Sequence, residues 1–314
     1  MCYNQPRGYC IAYYAQSKTN LSISLSLPAP MPTPLLVSTA WLAEHLSDPR
    51  VRPADVRWYL LNPEQGRDEY VRGHIPGAIY FHIDHDLAEP PYSGPGRHPL
   101  PRAEKFAAAA SKAGITLDTH VIAYDTQGGG TAARLWWLLR YFGHDNVSLL
   151  DGGITRWVAE ARALQTEIPS VPHAEFIAQP HPNWVVNQKT MDALRENPNA
   201  LLLDSRLAER YEGKVEPIDA RPGHIPGAKN APLAANLRGA TDPRFLEPDQ
   251  LRARFENLGA NRAEKIVSYC GSGVNACQNV FALELAGFKD VLLYEGSWSD
   301  WSKNPDLPAA TGTE

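Results

Sequence analysis

The hexapeptide Gly73-His74-Ile75-Pro76-Gly77-Ala78 returns unchanged as Gly223 to Ala228, 150 positions later. Three further blocks repeat in the same order. Asp55-Val56-Arg57 is matched by Asp204-Ser205-Arg206, and Val121-Ile122-Ala123-Tyr124-Asp125 by Ile266-Val267-Ser268-Tyr269-Cys270. Asp151-Gly152-Gly153 with Trp157 is matched by Glu295-Gly296-Ser297 with Trp301. One hexapeptide can recur by chance, but four ordered blocks at offsets of 144 to 150 cannot. The chain is one fold written twice, and 314 residues suit two domains of ordinary size.

The second copy gives the pattern of elements. Val186 to Glu196 reads as a strand entry and a short helix, and Leu201-Leu202-Leu203 as a buried strand. Pro248 to Leu258 and Asn275 to Ala286 read as helices, and Ile266 to Tyr269 and Val291 to Tyr294 as strands. Short apolar strands alternating with helices predict the α/β class, with a mainly parallel sheet in each copy and helices flanking it. The expected division is a silent domain over 31–164, a proline-dense linker over 165–183, a catalytic domain over 184–308 and a tail over 309–314. Residues 1–30 are polar and Ser-rich, without the basic start and continuous apolar stretch of a secretory signal. They read as a disordered extension whose removal leaves activity intact.

Charge and cysteine usage narrow the function. With a net charge of −5 and no basic block, the chain is not expected to bind nucleic acid. No apolar run approaches the roughly 20 residues that span a bilayer, so no membrane is expected either. Four cysteines, none in a CxxC pair, suggest a reducing cytoplasm and one special thiol rather than a zinc site or disulfides.

That thiol is Cys270. It ends a strand and precedes Gly271-Ser272-Gly273-Val274-Asn275 and a helix, the place where parallel α/β sheets bind ligands. The glycines let backbone N–H groups turn inward as an anion nest, and the helix adds its positive end. Both effects are expected to favour the thiolate over a free thiol of pKa about 8.5. Cys277, two turns into the helix, reads as a packing thiol. The first copy is an internal control: Asp125 stands at the Cys270 position, and a carboxylate cannot replace a thiol nucleophile. Its Gly128-Gly129-Gly130 lacks the Gly-Lys-Ser/Thr ending of a phosphate loop.

The doubled GHIPGA, the CGSGVNA loop, Trp136-Trp137 and Glu295-Gly296-Ser297-Trp298 with Trp301 resemble the tandem rhodanese-domain sulfurtransferases. That family comprises thiosulfate and 3-mercaptopyruvate enzymes. The resemblance implies an inactive N-terminal domain and a C-terminal domain whose cysteine carries sulfur, with no metal or organic cofactor. Its Gly-Ser-Gly after the cysteine is similar to the mercaptopyruvate enzymes, and a neutral loop suits a donor with one carboxylate. The family's substrate arginines fall on Arg210, with Arg206 nearby, and Gly271, Gly273, Val274 and Asn275 complete the expected binding loop. A Ser-His-Asp relay falls on Ser272, His98 and Asp84. The chain departs from the family pattern at Asn275, where Thr is usual. It also lacks a second arginine between Arg210 and the GHIPGA turn, for which Arg221 is the only candidate. The implied reaction moves sulfur from a small donor to Cys270, then to cyanide, a thiol or a thioredoxin-like protein. A phosphatase on this fold would need an arginine six residues after the cysteine, where Ala276 stands. A non-catalytic binding module would have no reason to keep a reactive thiol at Cys270.

Overall fold

A computed structural model describes residues 33–313, so the expectation for residues 1–30 lies outside the described residues. Each copy builds a five-stranded, all-parallel sheet. The first contains β1 (Leu36–Val37), β2 (Val51–Asp55), β3 (Ile79–Tyr80), β4 (His120–Tyr124) and β5 (Val147–Leu150), in the order β1-β5-β4-β2-β3. In the second copy, β6 (Val185–Val186), β7 (Ala200–Asp204) and β8 (Lys229–Asn230) come first. A small antiparallel hairpin follows, β9 (Leu237–Gly239) and β10 (Asp242–Phe245), and then β11 (Lys265–Tyr269) and β12 (Leu292–Tyr294). The second sheet has the order β6-β12-β11-β7-β8, which is the first order repeated. Both central strands, β4 and β11, are apolar and buried on both faces, as a parallel sheet covered by helices requires.

The repeated sequence blocks are repeated bonds. Arg57 forks onto Asp55 and donates to the Gly73 carbonyl, and Arg206 does the same to Asp204 and Gly223. Tyr70 and Tyr211 donate to the carbonyls of Ala78 and Ala228. His74 and His224 stack on those tyrosine rings, and each places Nδ1 against the tyrosine's own carbonyl. The histidines of the GHIPGA turns therefore belong to the frame of both copies. The proline-dense segment lies along the first copy rather than spanning open space. Ala174 and Phe176 donate to Ser111, and Gln179 and His181 to the carbonyls of Phe142 and Tyr141.

The copies meet through the helices that follow the two loops, Ala132–Tyr141 and Ala276–Leu285. Trp136 meets Phe281 edge-on at 4.9 Å, Arg140 pairs with Glu284 at 2.5 Å, and Gln278 donates to the Gly128 carbonyl. Each copy also covers the other's loop. The β9–β10 hairpin lays Leu237 and Phe245 on Gly128 and Gly129. In return, the 94–100 segment of the first copy reaches over Cys270. The Arg97 N–H donates to Ser299 Oγ, and the Leu100 N–H to the Glu295 carboxylate.

Candidate active site

Cys270 follows β11 directly and is almost fully buried. Its N–H donates to Ser297 Oγ, and its carbonyl accepts from Trp298. Gly273 has φ +76, and a Cβ there would lie 2.3 Å from the Glu295 carbonyl oxygen, so this position needs glycine. Among the described residues, the N–H groups of Ser272, Gly273, Val274 and Asn275 have no hydrogen-bond partner.

The first copy shows what such a loop holds. Asp125 Oδ1 accepts from the N–H groups of Gln127 and Gly129, and Oδ2 from those of Thr131 and Ala132 and from Thr131 Oγ1. A built-in carboxylate thus fills the nest of the first copy. In the second copy the corresponding place beside Cys270 is open. It forms part of a cavity of about 210 Å³ lined by Cys270, Gly271, Ser272, Arg97, Arg210 and Trp58, among others. Val274, Asn275 and Arg206 also face it. Two larger clefts, of about 480 and 720 Å³, contain no cysteine.

Behind the loop runs a chain of three polar groups. Ser272 Oγ is 2.7 Å from His98 Nδ1, and His98 Nε2 is 3.1 Å from Asp84 Oδ1. Trp58 Nε1 donates to the other oxygen of Asp84 at 2.9 Å, and its ring packs edge-on against His98. A carboxylate only accepts, so Nε2 carries the imidazole hydrogen and Nδ1 accepts from the serine hydroxyl. Burial pushes the His98 pKa down more than the bond to Asp84 raises it, which keeps the ring neutral. Desolvation pushes the Asp84 carboxyl up, but the bonds from His98 and Trp58 outweigh it and hold the pKa below the usual range. The structure brings Ser272, His98 and Asp84 together from two different copies.

The two expected arginines part company. Arg210 lines the cavity, with Nη2 on Glu216 and Asp219 and Nη1 without a partner among the described residues. Arg206 has its donors committed to Asp204, Gly223 and Glu216, and it lies over the Trp298 ring at 4.8 Å. The first copy makes the same Asp–Arg–carbonyl link through Arg57, so the bonds of Arg206 are those of the frame, although the residue also lines the cavity. Removing one partner of a buried pair leaves an orphan charge and costs about 3–5 kcal/mol. Arg206→Ala and Arg57→Ala should therefore both lower the melting temperature by several degrees. A loss of donor affinity in Arg206→Ala without thermal destabilisation would restore the gripping role. Arg221 is likewise unavailable, since it donates to the carbonyls of Trp301, Ser302, Asn304 and Leu307.

Three site residues carried no sequence signal strong enough to single them out: Trp58, Arg97 and Arg134. Arg134 is fully buried and donates to the carbonyls of Leu87, His98 and Gly273, tying the His98 segment to the Cys270 loop. Cys277 donates to the Gly273 carbonyl, and burial pushes its thiol up to about 12, consistent with a packing role. Glu64, His82 and His85 cluster elsewhere on the first copy. His82 Nδ1 accepts the Asp84 N–H, so the neutral ring turns its Nε2 hydrogen, not a lone pair, toward Glu64. That set does not offer a metal three donors.

Residues 38–160 and 187–304 each match the rhodanese-like domain. A Pseudomonas aeruginosa protein named "Probable 3-mercaptopyruvate sulfurtransferase" is 43 % identical over 280 residues, covering 88 % of this chain and 98 % of its own. The Mycobacterium tuberculosis "Putative thiosulfate sulfurtransferase SseB" is 38 % identical over 283 residues, covering 89 % and 98 %. The crystal structure of the 3-mercaptopyruvate sulfotransferase SseA from Escherichia coli matches with a TM-score of 0.75 at 35 % identity, over 85 % of this chain and 100 % of that one. Fold, loop and relatives define a class: this chain belongs to the rhodanese family. Within it, the chain is a tandem-domain sulfurtransferase, closely related to the 3-mercaptopyruvate and thiosulfate enzymes. Its chemistry is the transfer of sulfane sulfur from a small donor to an acceptor. Among the described residues, no helix is long and apolar enough to cross a membrane.

Proposed function

We propose that the donor is 3-mercaptopyruvate and that Cys270 carries the sulfur. The Cys270 thiolate attacks the donor sulfur, and the carbon–sulfur bond breaks with its electron pair left on carbon as pyruvate enolate. The donor's thiol proton passes to the Ser272–His98–Asp84 chain and returns to the enolate carbon, giving pyruvate and a Cys270 persulfide. The unpaired N–H groups of the loop support the persulfide's negative charge, as Gln127 and Gly129, the counterparts of Ser272 and Val274, support Asp125. Cyanide, a small thiol or a thioredoxin-like protein then attacks the outer sulfur, and the sulfur–sulfur electron pair returns to Cys270.

The observation that carries the donor assignment is the hydroxyl–imidazole–carboxylate chain ending beside Cys270. A carbon leaving group must be protonated, whereas sulfite leaves thiosulfate as a stable anion and needs no relay. The charges agree. Arg97, Arg206 and Arg210 are matched by Asp204, Glu216 and Asp219, so the site suits one carboxylate better than a dianion. Steady-state sulfur transfer to cyanide from each donor tests the reading. The expected result is a higher kcat/KM for 3-mercaptopyruvate with ping-pong kinetics; a preference for thiosulfate would overturn it.

A further inference from the structure

We infer that Arg97, supplied by the catalytically silent copy, is the second arginine that grips the donor's carboxylate. The inference rests on the donor being a carboxylate and fills the position that Arg221 cannot. Arg97 and Arg210 come from different copies and converge on the same glycine. A Cβ built on Gly271 would lie 3.3 Å from Arg97 Nη2 and 3.5 Å from Arg210 Nη1. These are the two terminal nitrogens that have no hydrogen-bond partner among the described residues. Both arginines line the cavity that contains Cys270, and both are largely buried.

Their other faces are held from behind. The fully buried Asp219 accepts from Arg97 Nη1 at 2.5 Å and from Arg210 Nη2 at 2.8 Å, and Glu216 takes Arg210 at 2.7 Å. Neither acid is among the residues lining the cavity, although Asp219 Oδ2 lies 3.8 Å from the same Cβ built on Gly271. Asp219 therefore acts as an internal strut that keeps two like charges side by side, each with an unpartnered terminal nitrogen beside Gly271. Glu216 in turn fixes the strut by accepting the N–H groups of Ile218 and Asp219. The absence of a side chain at Gly271 leaves the space in front of the pair open. A flat, bidentate acceptor is what paired guanidinium edges recognise best, which describes a carboxylate. The Arg97 backbone is also fixed, since its N–H donates to Ser299 Oγ in the segment that holds the Cys270 loop. Donor recognition is thereby shared between the copies.

The test uses the full chain with Arg97→Ala, Arg97→Lys and the paired change Arg97→Met/Asp219→Asn, which removes both charges of that pair and leaves an amide oxygen to accept from Arg210. KM for 3-mercaptopyruvate and inhibition by pyruvate, which carries the carboxylate without the sulfur, are both measured. The expected result is a rise of about 10- to 100-fold in KM for Arg97→Ala and for the paired variant, from the loss of a charge-assisted bond. Pyruvate inhibition should weaken by a similar factor, and Arg97→Lys should fall between. Discharge of a preloaded persulfide to cyanide should change by a smaller factor, because that half-reaction involves no donor carboxylate. Unchanged KM and unchanged pyruvate inhibition in both variants would overturn the assignment. A wild type that prefers thiosulfate and ignores pyruvate would sink the donor reading and, with it, this carboxylate site.

Discussion

Cys270→Ser should abolish sulfur transfer from any donor and leave the fold intact. Serine is nearly the same size, and the bonds that hold position 270 use its backbone, through Ser297 and Trp298. The hydroxyl can neither attack divalent sulfur usefully nor hold a sulfur atom, so kcat should fall to the uncatalysed background. The second buried thiol offers no bypass. Cys277 donates to the Gly273 carbonyl, is fully buried, and has its pKa raised to about 12, so almost none of it is thiolate at neutral pH. Mass spectrometry after exposure to donor should show a gain of one sulfur atom in the wild type and none in the variant. A sulfur gained on Cys277 in Cys270→Ser, with turnover, would remove Cys270 from the centre of the mechanism.

The two loops differ in what fills them. Both loops follow the middle strand of an identical sheet, and both turn N–H groups inward. In the first copy Asp125 occupies that nest permanently with five hydrogen bonds. The partner copy then seals it with the apolar Leu237 and Phe245. In the second copy the nest is open, and the covering segment brings Arg97 and His98 instead. On the proposed mechanism, retention of the first copy follows: it places His98, Asp84 and Arg97 beside the Cys270 loop.

What could be read from sequence follows the same division. The repeat located both sheets and the two loops, because a duplicated strand–glycine–helix pattern is local and visible. Ser272, His98 and Asp84 were reachable through motif resemblance. Arg97 was adjacent to His98 in sequence, yet nothing local distinguishes it. It becomes a site residue only because the 94–100 segment folds across onto the other copy. Arg134 sits in the apolar run Ala132 to Leu139 and is committed to three carbonyls, a role that depends wholly on tertiary packing. Arg206 shows the converse, a frame role that the repeat made legible. Its neighbour Arg210 faces the cavity, but the Asp55-Val56-Arg57 block already paired Arg206 with a residue that has no cysteine to serve. The repeat thus held the signal that would have separated the two arginines.

His98→Ala should divide the two donors. With 3-mercaptopyruvate, kcat/KM should fall about 10²- to 10³-fold, the range expected for loss of a positioned acid–base group. Thiosulfate turnover should stay within a few-fold, because sulfite departs without a proton. Ser272→Ala should reproduce the division, and Asp84→Asn should do so more weakly by loosening the imidazole's orientation. The pH dependence gives a second reading. Any pH effect common to both donors cancels in the ratio of their kcat/KM values, so that ratio isolates the relay. His98 must be neutral to accept the Ser272 proton, and burial lowers its pKa below the usual value of about 6.5. The ratio should therefore hold as pH falls through that ordinary value and decline only in more acid solution. In His98→Ala it should be flat. Stability shifts the same way: the depressed pKa values of His98 and Asp84 mean that the unfolded chain takes up protons first, so folding weakens as pH falls through the acid range. Equal losses for both donors in His98→Ala, with a ratio independent of pH in the wild type, would reduce the Ser272–His98–Asp84 chain to a packing device.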